Sequence, residues 1–171
     1  MIKTFAAVAL SALMLAGAAQ AAKPAPRMGI ASFAQLKTPL PYPYDEKADA
    51  DKAVAAAKAK AKKEGKILIL DLGGNWCPDC RILAGTMERP ELKAFLDRNF
   101  VVESVDVGRF DKNLQIPAHY GITTRLPGVP ALLVIDPKTD KLLNLEKISA
   151  LSDARHMSPQ GLADWLAQYA R

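Results

Sequence analysis

The chain has 171 residues, a formal charge of +5, half of its residues hydrophobic, and only two cysteines and two histidines. The charge excess is mild and dispersed. Its one cluster, the Ala/Lys run from Lys52 to Lys66, has no aromatic residues between the charges, so it reads as a solvated helix face and not as a nucleic-acid surface. The cysteine and histidine supply argues against structural zinc, which normally takes four ligands; there is no second Cys pair, and His119 and His156 lie far apart in the chain.

Taken in chain order, residues 1–21 carry Lys3, an apolar run from Phe5 to Leu15, and the small-x-small triplet Ala19-Gln20-Ala21. This pattern predicts a secretory signal peptide cut after Ala21, because the apolar run is shorter than the roughly 20 residues a membrane span needs. No cysteine lies near the cut, so no lipid attachment is expected and no stable membrane span should remain after cleavage. Residues 22–44 contain five prolines without a sustained period and predict a partly extended N-terminal segment. Phe33, Leu36, Tyr42 and Tyr44 are its candidates for docking onto the rest of the chain.

The domain is expected over 45–171. Ala, Lys and Glu make 45–64 helical, with Gly65 placed to end the helix. The apolar run at 66–72 predicts a buried strand and Gly73-Gly74-Asn75 a turn. Pro78 fits the first position of the next helix, and Pro90 kinks or restarts it before Leu92, Phe95 and Leu96 recur at helical spacing. A strand at 100–107, a short helix at 113–120, a strand at 128–136 and a weaker strand at 141–149 come next. Ser158-Pro159 opens a last helix with Leu162, Trp165, Leu166 and Tyr169 on one stripe. Early alternation of helix and strand, with two adjacent strands late, implies an α/β fold: a mixed sheet covered by helices on both faces.

Both cysteines fall in the stretch Asn75-Trp76-Cys77-Pro78-Asp79-Cys80. Export to an oxidising compartment favours disulfides, but a bridge from i to i+3 closes too small a loop to restrain the unfolded chain. Thiol–disulfide exchange explains the spacing better. Cys77 at a helix start meets exposed N–H groups that stabilise a thiolate, and Cys80, one turn on, can attack a mixed disulfide on Cys77. Asp71, in an apolar strand, has two readings: a buried acid able to accept a proton, or a strand-end cap on the glycine turn. Pro130 is open between a cis bond and an ordinary trans edge proline. Asp79 should disfavour a thiolate nearby and Arg81 should favour it.

The segment WCPDC after ILILDLGGN, followed by YGITTRLPGVPALLVID, resembles the thioredoxin superfamily, over about residues 45–171. More narrowly, WCPDCRILAGTMERPELKAFLDRNFVVESVDV is similar to secreted thioredoxin-like domains, including the C-terminal domain of the bacterial membrane disulfide reductase. The resemblance implies a thioredoxin fold with a central mixed sheet of four to five strands. It implies catalytic roles for Cys77, Cys80 and Asp71. It also implies substrate contacts from Trp76, Pro78, Asp79, Val129 and Pro130, with Pro130 as the family's cis-proline. Three departures stand out: Pro-Asp between the cysteines, no match for the lysine that pairs with the buried acid (Glu103 is nearby instead), and a longer loop before Pro130. The expected activity is that of an exported, periplasmic thiol–disulfide oxidoreductase acting as a protein-disulfide reductase. An oxidase, an isomerase or a non-catalytic binding module of the same fold are the alternatives. No metal, no cofactor and no nucleic acid are expected; protein disulfides are the expected substrates, a membrane thiol–disulfide protein the expected electron donor, and a monomer the expected state.

Overall fold

The computed structural model describes residues 23–171, and the leader expected at 1–21 lies outside them. Four strands form one sheet in the order β2-β1-β3-β4, with β1 at Ile67–Gly73, β2 at Phe100–Asp106, β3 at Ala131–Asp136 and β4 at Lys141–Leu142. β1 runs parallel to β2 and antiparallel to β3, and β3 runs antiparallel to β4. β1 is central and buried along its whole length, which is why its sequence is apolar apart from Asp71 and does not alternate.

Among the described residues five α-helices flank the sheet: α1 (Ala50–Glu64), α2 (Pro78–Met87), α3 (Pro90–Asn99), α4 (Gln115–His119) and α5 (Pro159–Ala167). Alternate β1 side chains point to opposite faces. Leu68, Leu70 and Leu72 pack with Val54, Ala57 and Ala61 of α1 and Ile116 of α4. Ile67 and Ile69 pack with Leu83, Leu92, Phe95, Leu162 and Leu166 from α2, α3 and α5. Asp71 follows Ile67 and Ile69 on that second face. Glu103, opposite Leu70 in the β1–β2 register, belongs to the first face and does not face Asp71.

Helix starts follow their caps. Asp49 Oδ1 accepts from Lys52 N, so α1 begins at Ala50 and not at residue 45 as the composition suggested. Gly65 closes α1 in the left-handed conformation. Pro78, Pro90 and Pro159 each occupy the first turn of a helix, and Pro90 restarts the chain as a separate helix, α3.

The strand expected over 141–149 is not formed beyond Leu142. Asn144 replaces it. Its side-chain Oδ1 accepts from Val134 N at 2.9 Å and its Nδ2 donates to Leu132 O at 2.8 Å, so one carboxamide takes two groups on the edge of β3, while the backbone of Leu143 and Ile148 takes Val134 O and Leu132 N. The backbone then coils into a 3-10 turn at Leu145–Lys147.

The Pro-rich segment is fastened along the domain. Met28 N donates to Gln160, Gly29 N donates to Glu91, and Met28 and Leu36 are buried. Tyr44 is buried too, at 2 % exposure, whereas Tyr42 stays on the surface. Among the described residues no helix is long and apolar enough to cross a membrane.

Candidate active site

β1 ends at Gly73, and the chain turns through Gly74-Asn75-Trp76 into α2. Cys77 is the N-cap of α2: its Sγ accepts from the Cys80 backbone N–H at 3.3 Å. Both cysteines are free thiols. Cys77 keeps 4 % exposure and Cys80 none. The Cys80 thiol hydrogen-bonds Cys77, and with the backbone N–H of Cys80 it outweighs the opposing effect of burial; together they bring Cys77 down to about 7 from 9.0. Cys80 moves the opposite way, held protonated by that bond to Cys77 and by burial.

Three neighbours frame Cys77. Its thiol lies 3.4 Å from the Val129 carbonyl oxygen, in hydrogen-bonding contact, and the Val129–Pro130 peptide is cis. Trp76 is 41 % exposed beside it; its indole N–H donates to Gly108 O at 2.7 Å, Phe110 meets it edge-on, and the Arg109 guanidinium stacks over it. Gly74 has to be glycine for this: a Cβ there would come within 2.6 Å of the indole nitrogen.

Asp79 is buried between the cysteines, and its carboxylate is taken by Arg155 from the 3-10 turn Ala154–His156. Arg155 donates from its backbone N at 2.9 Å, from Nε to both oxygens, and from Nη2. Burial works to raise the Asp79 pKa, but the hydrogen bonds and charge of Arg155 prevail and hold it below the usual carboxylate range. The charge expected to oppose a Cys77 thiolate is thus largely neutralised by a residue 76 positions away. Arg81, expected to favour the thiolate, faces elsewhere: it donates to the carbonyls of Leu40 and Pro41 and lies over the Tyr42 ring. Pro78 occupies the first turn of α2, next to Cys77.

Asp71 is 1 % exposed and faces the inner side of the pair. Burial raises its carboxyl to about 7; a hydrogen bond from Tyr44 works against the rise, and the nearby Cys77 adds to it. Tyr44 Oη donates to Asp71 Oδ1 at 2.9 Å. Asn75 grips the Tyr44 backbone from both sides, accepting from Tyr44 N at 3.2 Å and donating to Tyr44 O at 2.8 Å.

The structure therefore brings Asp71, Trp76, Cys77, Pro78, Asp79, Cys80, Val129 and Pro130 to one end of the sheet. It adds Tyr44, Asn75 and Arg155, which sequence reasoning does not assign to the site. Tyr44 is recognisable in the sequence only as a docking aromatic, and no local pattern links Arg155 to Asp79.

The arrangement suits dithiol–disulfide exchange: an acidified outer thiol, a protonated inner thiol and a titratable acid behind it. The chain matches the thioredoxin-like family over residues 49–137. A disulphide isomerase from Xylella fastidiosa Temecula1 is 38 % identical with a TM-score of 0.69, the match covering 75 % of this chain and 97 % of that one. The C-terminal domain of DsbD from Neisseria meningitidis in its oxidised form is 27 % identical with a TM-score of 0.40, over 53 % of this chain and 77 % of that one. A search of curated proteins found no match. The chain belongs to the thioredoxin-like family and has the thioredoxin fold, with a thiol–disulfide oxidoreductase Cys-x-x-Cys pair at Cys77 and Cys80.

Proposed function

We propose that the protein is an exported protein-disulfide reductase. The Cys77 thiolate attacks a substrate disulfide. One substrate sulfur leaves as a thiolate, and a Cys77–substrate mixed disulfide forms. Cys80 then attacks the Cys77 sulfur, closing the Cys77–Cys80 disulfide and releasing the second substrate thiolate. Asp71 accepts the Cys80 proton, and a carboxyl near 7 is matched to that task at neutral pH. Trp76, Pro78, Val129 and Pro130 border the Cys77 sulfur and are the surface on which a substrate strand would rest; Asp79 acts through its pairing with Arg155.

The observation that carries the direction is how Cys77 is held: its Sγ caps α2 and is bonded by Cys80, contacts that bring it to about 7, nearer the roughly 7 of thioredoxin than the roughly 3.5 of a strong oxidant, whose disulfide is destabilised by a very stable thiolate. The leader-like pattern at 1–21 supports export to the periplasm. In an oxidising compartment a reductase needs electrons from outside it, which a membrane thiol–disulfide protein would supply. The likeness to a protein described as a disulphide isomerase favours a second reading, isomerisation by the same residues.

Equilibration of the mature protein with glutathione separates the two. The reductase reading expects a Cys77–Cys80 potential near about −270 mV; a value near about −180 mV would instead indicate an isomerase, and one near about −120 mV an oxidant.

A further inference from the structure

The Pro-rich segment ahead of the domain is built into the active site. Its last residues are held at three points: Arg81 of α2 donates to the Leu40 and Pro41 carbonyls, Arg81 also stacks on Tyr42, and Asn75 of the active-site turn clamps the Tyr44 backbone. The outcome of this strapping is one buried hydroxyl. Tyr44 Oη lies against the inner cysteine and donates to Asp71 Oδ1 at 2.9 Å. The space they share is closed by Gly73. A methyl group there would fall 2.3 Å from Tyr44 Oη and 2.7 Å from Cys80 Sγ, so any other residue would push the phenol or the thiol out of place.

We propose that Tyr44 is a catalytic residue of the resolving step, relaying the Cys80 proton to Asp71. The inference rests on the oxidoreductase reading of Cys77 and Cys80. In the reduced protein the Cys80 proton is shared with the Cys77 sulfur. Once Cys77 is tied into a mixed disulfide, that sulfur carries no negative charge and becomes a poor acceptor. The Tyr44 oxygen is then the acceptor in contact with Cys80. As Cys80 attacks, its proton passes to Tyr44 Oη while the Tyr44 proton passes to Asp71 Oδ1. The S–S bond between Cys77 and Cys80 forms, the bond from Cys77 to the substrate breaks, and the substrate sulfur departs with the electron pair.

The phenol stays neutral throughout. Burial and the neighbouring Asp71 charge push its pKa far above the usual tyrosine value, so a free tyrosinate is excluded and the two transfers are coupled. On reduction of the Cys77–Cys80 disulfide the path runs backwards and reprotonates Cys80. Asp71 borders a cleft of about 200 Å³ through which its proton can reach water. The charged groups facing that cleft are Glu88, Lys93 and Asp97; with Tyr44, Cys77 and Cys80 they are the titratable groups around Asp71.

Tyr44→Phe in the full mature chain tests the relay, since it keeps the packed ring and removes only the hydroxyl. With a chromogenic aryl disulfide, the first thiolate released reports attack by Cys77 and the second reports resolution by Cys80. The expected result is an unchanged first step and a second step slowed about tenfold at neutral pH. The Asp71 carboxyl, followed by carbon NMR, should titrate about one pH unit higher, because the hydrogen bond that favours its charged form is gone. In an Asp71→Asn background the same substitution should add nothing, as expected of two groups on one path.

If the wild-type protein resolves and Tyr44→Phe resolves equally fast, the relay is wrong while the oxidoreductase reading stands. Equal slowing of both steps with a lowered melting temperature also overturns it, because that marks Tyr44 as packing alone. If the wild type releases no second thiolate at all, the oxidoreductase reading has failed and the relay falls with it.

Discussion

Cys77 and Cys80 lie one turn apart on a single helix, yet the regions around them are built from opposite materials. The outer region, around Cys77, is polar and part exposed: an N-capped sulfur, a carbonyl from the β3 side, an indole at the rim, and the ion pair of Asp79 with Arg155. The inner region, around Cys80, is buried: Cys80 is fully enclosed, the Tyr44 phenol and the Asp71 carboxyl stand beside it, and water reaches it only by the cleft that Asp71 borders. The outer region lowers a thiol pKa and the inner one raises one. A helix N-terminus favours anions in both, so the helix by itself cannot separate the two sulfurs. What separates them is which distant parts of the chain pack against each, and how much water they leave.

Serine at each cysteine breaks this comparison hardest. Cys77→Ser should lower turnover of a model protein disulfide by roughly a thousandfold or more, since the other thiol of the site, Cys80, is fully buried and held protonated. Cys80→Ser should still attack but stall, and mass spectrometry should find the substrate covalently attached at Cys77. Retained turnover in Cys77→Ser would leave a binding module as the better reading.

Next in size is the inner region's dependence on pH. The folded Asp71 carboxyl keeps its proton up to about 7, whereas the unfolded one loses it near 3.8. Between those values the folded chain holds the extra proton, so stability falls as pH rises. Asp71→Asn removes the penalty. The variant should gain about 2–4 kcal/mol relative to wild type at about pH 8, and the difference should shrink as the pH falls towards about 4. Denaturant titrations at the two pH values check this; a gap independent of pH would mean that Asp71 ionises freely in the folded state.

The two regions are also unequally legible in the sequence. Elements set by local signals are recognisable there: the apolar run of β1, the prolines that open α2, α3 and α5, and the Ser158 cap. The failures have a common cause. Residues 45–49 have helical composition, but Asp49 captures the Lys52 N–H in the first turn and sets the start later. Residues 143–149 have strand-like composition, but the Asn144 side chain takes two of the β3 groups that a strand's backbone would have paired, leaving only Leu143 and Ile148 to bond it through the backbone. Side-chain capture of backbone groups depends on geometry and leaves no periodic trace. The site divides the same way. The Cys pair, Trp76, Asp71 and Pro130 come as motifs in one reading frame. Tyr44 reaches Asp71 across 27 residues and Arg155 reaches Asp79 across 76, and only folding shows that they belong to the site.

The smallest effect sharpens the comparison at its outer side. Arg155→Met leaves the Asp79 carboxylate without its guanidinium, and that carboxylate already acts against the Cys77 thiolate. The pH midpoint for alkylation of Cys77, expected near about 7 in the wild type, should move upward. Half of the Arg155 side chain is exposed, so solvent and salt screen the interaction, and a shift of about half a pH unit is appropriate. Arg155→Lys should fall between the two, since it restores charge but not the planar fork that meets both carboxylate oxygens. The shift should also grow at low ionic strength, because the unpaired carboxylate acts through partly exposed space. A midpoint indifferent to all three conditions would mean that Asp79 and Arg155 hold the backbone turn in place without tuning the sulfur. The acidity of Cys77 would then come from its cap and from Cys80 alone.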